Sequence, residues 1–234
     1  MLSFNFAGRD SYLDYGILIS TRPTIPSPKR RVSAIDIPGR DSSLRYDEGT
    51  YEDITITIEC AITGDNILEK IDEIKAWLYG AGENDLIFSF QNDKKYKAQI
   101  VNSIDFKQIM NYISEFLIIF NCRPFKYSVD NTLITITQSG TNLINPGTIY
   151  SMPKIYVYGT GDITLKINGN EIKINGLSNK IIVDSTLYDC YDDNLNNLNS
   201  KVNGSFPILK SGNNLVEWTG NVSKIEILPN WRWL

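Results

Sequence analysis

The sequence predicts a mainly β protein of two domains with a single helix, and three observations predict it. Apolar and polar residues alternate with a period of two through Ile54-Thr55-Ile56-Thr57-Ile58-Glu59-Cys60-Ala61-Ile62, which puts the isoleucines on one face and Thr55, Thr57 and Glu59 on the other. One segment, residues 66–79, repeats its apolar residues at helical spacing instead. Beyond Arg123-Pro124-Phe125 the helical signal disappears, and short strand-like runs arrive at close intervals between turn residues, the grain of a β-sandwich. A length of 234 residues accommodates two ordinary domains, and the change of grain divides them into residues 1–128 and 129–234.

In the first domain, Arg22–Arg31 contains Pro23, Pro26 and Pro28, which excludes a helix or a central strand and predicts an extended arm or loop. Its Lys29-Arg30-Arg31 is the only dense basic cluster, expected in a solvated loop or a subunit contact. Strands are predicted at Ile54–Ile62, Leu86–Phe90, Lys95–Val101 and Ile113–Phe120. Ile67, Leu68, Ile71, Ile74, Trp77 and Leu78 form the apolar stripe of a helix over Asn66–Tyr79, expected as core against the sheet. Asn66 with Glu69 suggests a capping box, and Gly80 or Gly82 a stop.

The second domain offers strands at Leu133–Thr137, Ile155–Tyr158, Ile163–Ile167, Glu171–Ile174, Lys180–Asp184, Leu215–Trp218 and Val222–Leu228. Asn168-Gly169 between two alternating runs is a strong hairpin signal. Gly159-Thr160-Gly161-Asp162 lacks the third glycine, the Lys-Ser/Thr and the following helix of a phosphate loop, so a tight connection between strands is expected there.

The chemistry is thin. The chain has no histidine, which removes Ser–His–Asp and Cys–His nucleophiles, the imidazole base and nearly every catalytic zinc arrangement. Cys60, Cys122 and Cys190 are scattered without a C-x-x-C pair and are expected as small buried hydrophobes. A net charge of −4 and a pI near 5.0 argue against a nucleic-acid binder. The opening residues lack a signal peptide's basic start and apolar run. The longest apolar run, Phe116–Phe120, suits a buried strand rather than a membrane span, so a soluble protein made in the cytoplasm is expected, without membrane insertion. Asp184, Asp189, Asp192 and Asp193 fall in a polar, Asn-rich stretch and are expected as solvated carboxylates; a glycoside hydrolase using Asp184 and Asp192 is the catalytic alternative. Trp218, Trp231 and Trp233 are expected to close the sandwich, the alternative being a carbohydrate-binding module with Trp231 and Trp233 exposed as a glycan platform.

Several segments together resemble the distal tail protein family of siphophages. Phe4-Asn5-Phe6-Ala7-Gly8 with Ser11 and Gly16 resembles its opening strand. Ile37-Pro38-Gly39-Arg40-Asp41 with Leu44, Gly49 and Tyr51 resembles its Pro-Gly-Arg loop, and Asn121–Tyr127 the segment ending its first domain. Asn145-Pro146-Gly147, Ser151–Ile155, Tyr158–Asp162, Ile182-Val183-Asp184, Gly204–Pro207, Gly212-Asn213-Asn214 and Pro229–Leu234 follow the family's order.

The resemblance implies a non-enzymatic, cofactor-free hub of a phage tail tip. Its first domain would be a split-barrel, tail-tube-like β-domain forming a hexameric ring, and its second a galectin-like β-sandwich. Its partners would be its own copies, the major tail tube protein, the tape-measure protein, the tail-associated fibre or lysin protein and receptor-binding proteins. It would sit at the virion tail tip and let DNA pass without binding it, an acidic balance repelling phosphate. Ring contacts are expected around Arg40, Asp41 and the Ile54–Ile62 strand, with Ile54, Ile56 and Ile58 named among them.

Overall fold

The computed structural model describes residues 1–110 and 112–234. The chain separates into two compact units, residues 1–129 with Leu234 and residues 130–233, and the fold class is the expected one, mainly β with a single α-helix among the described residues.

The first unit is built on one curled antiparallel sheet. Its strands lie in the order Arg9–Asp10, Phe4–Phe6, Asn84–Phe88, Gln91–Ile100, Ile113–Ser128, Ile54–Thr63, Leu18–Ile19, with Phe106–Met110 beside the start of Ile113–Ser128. The period-two pattern acts as expected: Ile54, Ile56, Ile58, Cys60 and Ile62 are buried, while Thr55, Thr57, Glu59 and Thr63 face out. Each such isoleucine, fully removed from water, contributes about 2 kcal/mol. The strand Ile113–Ser128 runs straight through Arg123-Pro124-Phe125, where the sequence suggests a break. It pairs Ile54–Thr63 first and Gln91–Ile100 afterwards, and the register slips between Cys122 and Lys126. Pro124 falls in that irregularity, one of the places where a residue without an N–H costs a sheet little.

The helix Ile67–Gly80 covers the open side of the sheet with Ile67, Ile71, Ile74, Trp77 and Leu78 buried. Trp77 stacks on Tyr15 at 4.3 Å between ring centroids and its indole N–H donates to the Phe6 carbonyl at 3.1 Å. Two details differ from the periodicity reading. Leu68 is 68% exposed, because it sits about 100° around the helix from Ile67. The capping box does not form: Asn66 adopts a left-handed conformation (φ 56°) and its side chain makes no capping bond, since a capping residue needs extended backbone to reach back to the first turn.

The second unit is a two-layer β structure whose layers share their two longest strands. Lys154–Ile167 and Gly212–Leu228 pair along their length but shift register between Tyr158 and Gly159 and again between Thr160 and Thr164. On one side of that break their halves join Ile134–Ile136, Lys180–Asp184 and Asp189–Tyr191. On the other they join Thr141–Asn145, Asn170–Leu177 and Val202–Gly204. Strands that bend from one layer into the next make the corners of such sandwiches. The four runs read as separate strands, Ile155–Tyr158, Ile163–Ile167, Leu215–Trp218 and Val222–Leu228, are therefore two continuous bent strands. Gly159–Asp162 is the bend of one of them rather than a connection. Gly220 makes the matching bend: a Cβ there would lie 2.4 Å from the Asp162 carbonyl oxygen, and its φ of +100° is one that side chains rarely adopt. Ile155, Val157, Ile225 and Ile227 from one layer share a core with Leu165, Ile172, Ile174 and Val216 from the other. The Asn168-Gly169 hairpin turns with φ of 53° and 83° at its two central residues, the signature of a type I′ turn.

Candidate assembly surface

The carboxylates weighed for a glycoside hydrolase, Asp184 and Asp192, are both engaged in local hydrogen bonds. Asp184 is not a solvated loop carboxylate but 3% exposed. It pairs with the Lys154 ammonium at 3.0 Å, accepts from the Tyr191 hydroxyl at 3.2 Å and receives the backbone N–H of Thr186 at 3.0 Å. Its lone pairs are used to fix a strand end, where an uncompensated buried charge would be costly. Burial opposes the Lys154 ammonium, but the hydrogen bonds to Tyr191 and Asp184 outweigh it and hold the group above its ordinary range. Asp192 accepts from the backbone N–H groups of Asn194 and Asn196, both at 2.9 Å. Among the described residues no cluster of acids, cysteines or histidines is arranged to hold a metal ion.

The aromatic platform is likewise corrected. Trp231 is 9% exposed and belongs to the core of the second unit, with Trp218 and Trp233 half-buried against it. So little open surface leaves no platform for a sugar, so Trp231 drops out as a glycan contact, and Trp233 offers only part of its surface.

What the molecule does expose is a two-stranded β-ribbon in the first unit, Arg30–Ile35 paired with Leu44–Tyr51. The arm from Arg22 leads into it, unpaired and extended, as its prolines require. All six residues of the first ribbon strand are exposed, and all of the second but Tyr51. Residues opposite each other share a face: Ile35 with Leu44 and Ser33 with Tyr46 on one side, Val32 with Asp47 and Ala34 with Arg45 on the other. Ile35, Leu44 and Tyr46 are 53%, 45% and 63% exposed, so the ribbon buries neither face. A free hairpin is marginal in water. This one is held by its root, where the Glu52 N–H donates to the Lys29 carbonyl at 2.8 Å and Tyr51 meets Phe125 edge to face. Along its length Arg30 pairs with Asp47 at 2.8 Å and Ser33 donates to Glu48 at 2.8 Å.

The residues expected at a ring contact separate into two groups. Arg40 and Asp41 lie exposed at the ribbon's tip, behind a Pro38-Gly39 turn closed by the Arg40 N–H on the Ile37 carbonyl at 3.1 Å. Ile54, Ile56 and Ile58 are 5%, 0% and 0% exposed, turned into their own subunit's core, and their side chains cannot meet a neighbour. The outward residues of that strand are Thr55, Thr57 and Glu59. Sequence periodicity missed the ribbon because a hairpin exposed on both faces shows no apolar alternation. The signal present was a Pro-Gly pair between two runs containing Val32, Ile35, Leu44 and Tyr46.

Residues 13–122 match the family model described as the phage tail protein RIFT-related domain. The whole chain matches the crystal structure of the SPP1 Dit (gp 19.1) protein, described as a paradigm of the hub adsorption apparatus in phages infecting Gram-positive bacteria. The TM-score is 0.81 and the sequence identity 15%, over 100% of both chains. No curated protein sequence matches the chain. The chain is thus similar in sequence to a phage tail domain over residues 13–122 and in fold to this hub protein along its entire length.

Proposed function

We propose that this chain is the structural hub of a phage tail tip, forming a hexameric ring through its first unit. The full-length correspondence with a tail hub fold carries this reading, and the phage-tail domain match supports it. In this reading the ring joins the major tail tube protein and the tape-measure protein on one side to the tail-associated fibre or lysin protein on the other, with receptor-binding proteins attached around it. The chain is made in the bacterial host cytoplasm and ends at the tip of the virion tail. DNA passes through the ring without being held, which its net charge of −4 favours. The exposed ribbon supports the assembly role, since apolar residues held out in water on a short hairpin mark a surface that a partner covers. Arg40 and Asp41 at its tip are ring contacts in this reading.

Light scattering on the purified full chain, combined with negative-stain imaging, tests the proposal. Particles of six copies arranged around a hole are the expected result. A chain that stays monomeric alone and also in the presence of the tube and fibre proteins encoded with it refutes the reading.

A further inference from the structure

The strand Ile54–Thr63 is paired along its whole length on one side and along little of it on the other. There, Leu18 and Ile19 pair with Ala61 and Cys60, and the Ser20 N–H reaches the Glu59 carbonyl at 3.0 Å. After Ser20 the chain enters the proline arm, and among the described residues no backbone group of Thr21–Pro28 bonds the strand. Backbone groups alternate sides along a strand. Because Glu59 and Ala61 point toward this side, so do the N–H and C=O of Thr57 and Thr55, which leaves them an open edge.

The arm does not close that edge. Pro23 is buried, Ile25 packs on the core, and the Arg22 guanidinium sits 4.1 Å from the Phe90 ring centre. Held this way, the arm leaves a cleft of about 340 Å³ lined by Arg22, Pro23, Pro26, Thr55, Thr57 and Glu59. An open strand edge facing a slot is a template for strand addition.

The same unit carries a matching strand. The outer edges of the ribbon are unpaired. Its first strand, Arg30–Ile35, contains two arginines and no acid, whereas the Thr55–Glu59 edge contains an acid and no base. Arg31 joins no ion pair among the described residues, and neither do Glu59, Asp105 and Glu115, which with one base, Lys107, line a neighbouring hollow. Resting on the ring reading, we propose that the Arg30–Ile35 strand of one copy adds to the Thr55–Glu59 edge of the next. Donor and acceptor are different surfaces, so the contact is head-to-tail, the kind that closes rings.

Disulfide trapping in the full chain tests this. Ser33→Cys and Thr57→Cys copies, mixed and oxidised, should give a cross-linked dimer, and neither alone should. Native Cys60, Cys122 and Cys190 are buried and do not interfere. A dimer from Thr57→Cys alone, or none from the mixture, overturns the pairing. As a second arm, Thr57→Pro removes an edge N–H that the Ile113–Ser128 strand does not use, so the unit should fold with an unshifted circular dichroism spectrum. Self-association should weaken about tenfold or more, while Thr57→Ala, which keeps the N–H, should assemble normally. A folded Thr57→Pro chain that assembles as the parent does also overturns the pairing. Rings that form without the mixed cross-link defeat the strand addition and leave the ring reading standing; absence of any assembly, both alone and with the tube and fibre proteins, defeats both.

Discussion

The two units differ in what they leave unfinished. The second spends its polar groups internally: Asn214, fully buried, donates to the carbonyls of Lys210 at 2.8 Å and Gly212 at 2.9 Å and accepts from the Lys210 N–H at 2.7 Å, and Asp184 is enclosed by Lys154, Tyr191 and a turn. The first holds a ribbon with both faces in water and a strand with half of one edge unpaired. Neither feature stabilises the isolated subunit. On the ring reading, the difference teaches that stability and assembly are carried by separate residues, so substitutions should affect one and spare the other.

The largest expected contrast is between two isoleucines. Ile58→Ala, in the first core, should cost about 2–5 kcal/mol of stability in a denaturant titration. Ile35→Ala, on the ribbon, should stay within about 0.5 kcal/mol yet weaken self-association. Equal stability losses at the two positions would break the comparison. In the second unit, Asn214→Ala should cost about 2–3 kcal/mol, because it strands buried backbone groups without partners, and should leave assembly intact as long as the unit stays folded.

A smaller effect concerns acid. Burial works against the Asp85 carboxylate, but hydrogen bonds from Lys97 and Lys95 outweigh it and lower its pKa from 3.8. A depressed carboxylate stabilises the fold above its unfolded pKa and loses that contribution as pH falls through the folded one. The parent should therefore lose about 1 kcal/mol or less relative to Asp85→Asn on acidification from pH 5 to below pH 3, read from thermal midpoints. The smallest effect is a null. Burial pushes Cys60, Cys122 and Cys190 up to about 12, so the native chain should not react with a thiol reagent at pH 8 and should react at all three sites when unfolded.

The sequence was most readable where one residue's environment depends on its near neighbours. The Ile54–Ile62 alternation, the helix stripe and the Asn168-Gly169 turn are local patterns, and each element formed where it pointed. It was least readable where a distant strand decides. Pro124 looks like a stop until Gln91–Ile100 is seen to slip register beside it. Gly159 and Gly161 look like a turn until Gly212–Leu228 is seen to bend with them. Asp184 looks solvated among asparagines until Lys154, thirty residues earlier in the chain, is found against it. For the proposed assembly surface, the family resemblance pointed to Arg40 and Asp41, which the structure leaves exposed at the ribbon's tip. The isoleucines beside Thr55 and Thr57 misled because the same alternation that marks them as a strand turns their side chains into the core.

Direct imaging of the purified full chain by electron cryomicroscopy tests the central claim. The account predicts a closed sixfold particle in which first units touch one another around a hole and each ribbon reaches the next copy. A particle closed through second units, or ribbons left in solvent within an otherwise closed ring, would contradict it.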